Sequence, residues 1–91
     1  MQLEEKIKAI LNLFKAGRFD EVISKASALN KKLPDQPIFY NILSLTYQAK
    51  AEYEKSVQIL EKGLKLFRNN IHFLNNLGLT YYKSGDLKKA K

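Results

Sequence analysis

The sequence predicts an all-α protein, a solenoid of antiparallel helix pairs. Three observations carry that prediction. Gly17, Ala51 and Gly85 stand 34 residues apart, and the residues around them recur in the same frame. A fixed self-similarity of this length marks an array of small helical units. Apolar residues recur at helical spacing in each frame, and Gly or Pro falls where a helix must stop. At 91 residues and 45% hydrophobic content the chain can build one continuous core, and it is too apolar for a disordered tail.

The frames are residues 3–36, 37–70 and a partial third, 71–91, within one domain spanning 1–91. Leu11, Leu45 and Leu79 fall together, as do Leu13, Tyr47 and Tyr81. Ala9, Leu43 and Leu77 match, and so do Ile10, Ser44 and Gly78. After the turn come Phe19, Tyr53 and Leu87, then Val22, Ser56 and Ala90.

Each unit opens with a helix. The first, 3–16, carries Leu3, Ile7, Ile10, Leu11, Leu13 and Phe14. Gly17 lies where that helix reverses, a left-handed position that favours glycine. Asp20 and Glu21 then place negative charge at the start of the second helix, where the dipole welcomes it, and Glu21 can pair with Lys25 one turn on. The Leu33-Pro34 step ends the unit, and Pro37 suits the first turn of the next.

The second unit repeats this plan. Residues 38–49 hold Ile38, Phe39, Ile42, Leu43, Leu45 and Tyr47, apolar on more than one face. A helix apolar around most of its girth packs on several sides. Ala51 replaces the turn glycine, so it either accepts a modest left-handed cost or sits in a different turn. In 53–67 a single stripe runs through Tyr53, Val57, Leu60, Leu64 and Phe67. Glu54, Lys55, Gln58, Glu61, Lys62 and Lys65 take the opposite face, with Glu61 and Lys65 as an i,i+4 pair. Second helices therefore line the outside. The third unit opens with 71–82, through Ile71, Leu74, Leu77, Leu79 and Tyr81, and Asp86 can cap the helix after Gly85.

The run from Asn76 to Ala90 closely resembles the tetratricopeptide repeat. Leu77-Gly78, Tyr81, the turn Gly85, Leu87 and Ala90 meet that family's signature residue by residue. The first unit carries Gly17, Phe19, Ala26 and Pro34, with Ala9, Ile10 and Leu13 replacing the usual Leu, Gly and Tyr. The second carries Leu43, Ser44, Tyr47 and Tyr53, without the turn glycine or the terminal proline. The resemblance implies a right-handed α-solenoid whose first helices line a concave face. It implies a protein or peptide partner in that groove, built from Ile7, Leu11, Phe14, Asn41, Leu45, Gln48, His72, Asn75, Asn76, Leu79 and Tyr82. This surface is apolar and amide-rich, suited to an extended or helical segment. The alternative for Leu11, Leu45 and Leu79 is plain packing between adjacent first helices.

Two departures bear on the partner. Members that hold chaperone tails use basic residues and asparagines on the first helices. The matching positions here are Ile7, Leu11, Ile42, His72 and Asn76, and Asn76 alone fits, which argues against a chaperone-tail adaptor. Asn76 also resembles a backbone-holding asparagine in the arrays of sugar transferases. The segment Phe39-Tyr40-Asn41-Ile42-Leu43 is similar to N-terminal arrays that precede a transferase domain, so a targeting role is a further expectation.

The absence of cysteine excludes disulfides, thiolate zinc sites and a cysteine nucleophile. No phosphate-cradling glycine loop or metal-ligand cluster is present in the sequence, and the carboxylates do not converge. His72, the lone histidine, reads as a surface or groove residue. No catalytic residue, metal or cofactor is expected. The net charge is +7, almost all of the cations being lysine, and codon bias with solubility accounts for it better than a specific anionic partner does. Nucleic-acid binding is not expected, because the lysines scatter over second helices apart from Lys83, Lys88, Lys89 and Lys91. Nothing resembles a signal peptide or a membrane span, so the expected location is the cytoplasm. The third unit stops inside its second helix. Two expectations follow: a fragment of a longer protein, or an open end that stacks on another copy as a dimer or head-to-tail filament.

Overall fold

The computed structural model describes residues 2–85. The described chain forms the helices α1 (Gln2–Lys15), α2 (Phe19–Lys32), α3 (Pro37–Ala49), α4 (Tyr53–Leu66) and α5 (Ile71–Ser84). Each packs on the next in the chain, and α3 also packs on α5. The result is an elongated slab of 42 × 27 × 16 Å. The predicted helix that Asp86 would cap, with Leu87 and Ala90, lies outside the described residues.

The reversal after each first helix is the same local device. Gly17, Ala51 and Gly85 have φ of 76°, 59° and 83°. After α1, the Gly17 N–H donates to the Phe14 carbonyl and the Arg18 N–H reaches back to Leu13. After α3, Ala51 donates to Gln48 and Glu52 to Tyr47, the same pairing one period later. These are Schellman bonds, which satisfy carbonyls that the helix end leaves open. Ala51 therefore takes the left-handed conformation despite its β-carbon.

The hinges between units also repeat. Gln36 and Asn70 precede α3 and α5, and their N–H groups donate to Leu33 and Phe67. Asn70 caps α5, its Oδ1 accepting from the Phe73 N–H at 3.1 Å. Gln36 has no side-chain cap, but Pro37 supplies a preset first-turn φ.

Packing follows the sequence pattern. On α4, Leu60 is buried and Tyr53, Val57, Leu64 and Phe67 are half-buried, while the charged face is exposed. On α3, Phe39, Tyr40, Ile42 and Leu43 are all buried, because α2, α4 and α5 surround it. One core cluster joins Ile10, Val22, Ala26, Ile42 and Leu43. A second joins Tyr40, Leu60 and Phe73. There Tyr40, Phe67 and Phe73 form an edge-to-face triangle with every centroid separation 6.1 Å, a geometry aromatic rings favour.

Two expected helix pairs do not form. Among the described residues neither Glu21–Lys25 nor Glu61–Lys65 forms an ion pair. Glu21 turns back to Arg18 instead, three residues earlier. Such exposed pairs contribute little either way.

Candidate functional site

The candidate residues fall into rows along the first helices. Ile7, Asn41 and Asn75 are separated by 34 residues, as are Leu11, Leu45 and Leu79, and Phe14, Gln48 and Tyr82. Each row therefore takes one residue from α1, α3 and α5.

The leucine row is the most uniform. Leu11, Leu45 and Leu79 are 42%, 37% and 42% exposed. Leucines packed between helices would be covered, as Leu43 is. These three keep much of their surface open at the same register on successive first helices.

The asparagine row is partly engaged. The Nδ2 of Asn76 on α5 donates to the Oδ1 of Asn41 on α3. Both residues are half-buried, so this bond ties neighbouring first helices together. The Asn41 amide N–H2 and the Asn76 Oδ1 keep bonding capacity beyond it. Asn75 and His72 are exposed, and Ile7 is half-buried.

The last row does not share one surface. Tyr82 is 67% exposed. Phe14 is half-buried and meets Phe19 edge-on at 5.3 Å. Gln48, placed in the groove by its period, is a correction: it is 5% exposed and its Nε2 has no hydrogen-bond partner among the described residues. Its position on α3 explains this, because α2, α4 and α5 all pack on that helix. Gln48 is thus part of the interior and cannot present its amide to a ligand.

Behind these rows lies a buried hydroxyl chain that the sequence reading missed. Ser56 Oγ on α4 donates to the Ser44 carbonyl on α3 at 3.0 Å and lies 3.2 Å from Thr80 Oγ1 on α5. Thr80 donates to the Asn76 carbonyl at 2.7 Å, as Thr46 does to Ile42 one period earlier. The match of Thr46 with Thr80 was the available signal. The chain ends on the backbone carbonyl of Asn76, the residue whose side-chain amide holds Asn41.

No group of three or more metal-binding side chains occurs among the described residues. No described helix is long and apolar enough to cross a membrane.

Helix pairs recurring every 34 residues, each first helix closed by a left-handed residue, define an α-solenoid repeat protein. The sequence model of the tetratricopeptide repeat family matches residues 38–70 and 71–91, more than half of the chain, and the chain belongs to that family. Repeats of this family generally mediate protein–protein interaction or scaffolding. No curated protein matches the chain.

Proposed function

We propose that the chain is a non-catalytic interaction module that holds a peptide or protein segment against its first helices. The row Leu11, Leu45 and Leu79 carries this reading. Apolar side chains left open at one register offer a strip for apolar anchors, and Asn75, Tyr82 and the Asn41–Asn76 pair flank it with polar groups. A groove of this kind fixes a segment by side-chain anchors and orients it by backbone hydrogen bonds. A cytoplasmic setting goes with the same proposal.

The test is selection of peptides from a random library on the immobilised intact chain, followed by affinity measurement on variants. Leu45→Asp, Asn75→Ala and Tyr82→Ala should each weaken the selected peptides by about tenfold or more, the size of a well-placed contact. Unchanged affinity in all three variants would remove the groove from consideration.

A second reading, self-association, is favoured by a specific observation. Ile71 and Leu74 on α5 are 62% and 49% exposed, an apolar surface that a second copy could cover. Light scattering across a hundredfold range of concentration decides it. A mass fixed at one chain would end that reading.

A further inference from the structure

The two ends of the helix array differ in chemistry. Phe39, Ile42 and Thr46 form one buried stripe on α3, and Ile42 packs against Ile10, Val22 and Ala26 of the preceding unit. One period earlier the same stripe on α1 reads Glu5, Lys8 and Asn12, and all three are exposed. Polar side chains therefore close the α1 end, as they do on capping repeats.

The α5 end is apolar. Tyr40 and Leu43 on α3 are 1% and 2% exposed, because Leu60 of α4 covers the first and Val22 and Ala26 of α2 cover the second. Their counterparts one period on are Leu74 and Leu77. Leu77 is half-buried and Leu74 is 49% exposed. Ile71, a turn before Leu74 on the same face, is 62% exposed. Beside this ridge, α4 and α5 bound an open cleft of about 1000 Å³ with Leu64 and Leu77 in its lining.

A two-fold contact needs a surface that fits itself. A ridge and a cleft side by side on one end meet that need, since each ridge can enter the cleft of the other copy. Head-to-tail stacking would instead press Ile71 and Leu74 against Glu5, Lys8 and Asn12, at the cost of desolvating charges on an apolar surface. We propose that copies of the chain pair through their α4–α5 ends as closed two-fold dimers and not as head-to-tail filaments, an arrangement that rests on the self-association reading above. Glu61, Lys62, Lys65 and Arg68 also line the cleft, three cations to one carboxylate, so pairing brings like charge together. Salt should therefore strengthen the dimer.

The test is sedimentation equilibrium of the intact chain and its variants, joined to cross-linking. The mass should rise with concentration to two chains and stop there. Leu74→Glu puts a charge into the contact twice per dimer and should weaken pairing by about a hundredfold or more. Lys8→Glu, at the opposite end, should leave it unchanged. The natural chain has no cysteine, so introduced thiols report position alone. With a flexible bismaleimide, Leu74→Cys chains should link to one another, Lys8→Cys chains should not, and a mixture of the two should give no mixed product. A mass that keeps growing past two chains, or cross-links confined to mixed pairs, would overturn the two-fold arrangement and leave self-association standing. Full pairing by Leu74→Glu, or pairing that weakens with salt, would remove the α4–α5 end from the contact. A mass of one chain at every concentration would end both this arrangement and the self-association reading.

Discussion

A β-carbon added to Gly63 on α4 would lie 2.8 Å from Cε2 of Phe73 on α5. It would also come within 3.3 Å of Cγ of Tyr40. The two outer and inner helices approach this closely because glycine leaves room for the ring. Phe73 cannot easily give way, because Tyr40 and Phe67 hold its other edges. Alanine at 63 would gain about 1 kcal/mol of helix propensity. Overpacking a fixed core costs about 1–3 kcal/mol. Gly63→Ala should therefore lower stability by about 1 kcal/mol in urea unfolding, and Gly63→Leu should lower it by more. A more stable Gly63→Ala protein would show that the ring is free to move.

Ala51 is the one described non-glycine residue with positive φ. It makes the same Schellman bonds as Gly17, so the turn itself is intact and only the side chain is out of place. The left-handed conformation costs an L-residue about 1–2 kcal/mol. Glycine removes that cost but adds freedom to the unfolded chain, worth about 0.4–1 kcal/mol against it. Ala51→Gly should raise the urea midpoint by the equivalent of about 0.5–1 kcal/mol with an unchanged slope. Gly85→Ala should do the reverse, although its added β-carbon meets nothing within 4 Å among the described residues beyond its chain neighbours.

Ser56 and Thr80 have two hydroxyl protons for three short contacts. With Ser56 donating to Ser44 and Thr80 to Asn76, the two oxygens face each other without a proton between them. Either hydroxyl can instead turn its proton inward, because the carbonyl it leaves belongs to a helix. The pair should thus behave as a unit. Ser56→Ala and Thr80→Val should each cost about 1 kcal/mol. The double variant should cost less than the sum, with a coupling of about 0.5 kcal/mol or more in a thermodynamic cycle. Strict additivity would mean that the hydroxyls do not share protons.

The period carried most of the fold into view. A left-handed residue at 17, 51 and 85 fixes where each first helix ends, and the single stripe on 53–67 correctly assigns its buried face. The site was less legible. Period alone gives Phe14, Gln48 and Tyr82 one environment, yet Gln48 sits on the central helix and is covered while Tyr82 is not. Burial depends on what stacks on each side, and a repeat sequence does not encode that locally. The Asn41–Asn76 bond escaped for a related reason. It joins residues 35 apart, so it runs diagonally between equivalent helices and not along a row. Gly63 gave no periodic signal, since Leu29 occupies its place in the first unit.

The ion pair of Lys50 with Asp20 ties the end of α3 to the start of α2. The Lys50 ammonium, chiefly through its hydrogen bond, holds the Asp20 carboxyl below the ordinary carboxylate range. Asp20 in turn raises Lys50 above the ordinary lysine range, helped by Glu52 at 3.6 Å. The signs give two limbs. Asp20 has a depressed folded-state pKa, so its contribution is present above the usual carboxylate value and is lost as pH falls through the folded one. Lys50 has a raised pKa, so its contribution is present below the usual lysine value and is lost as pH rises through the folded one. Asp20 is exposed and Lys50 is half-buried at the surface, so the effect is small and screened by salt. The stability difference between the natural chain and Lys50→Gln should be flat from about pH 5 to 9 and shrink below about pH 4. It should also shrink in 1 M NaCl, on the order of a threefold shorter screening length. Melting temperatures of the two proteins across pH and salt measure this directly, and a difference that grows on acidification would contradict the pairing.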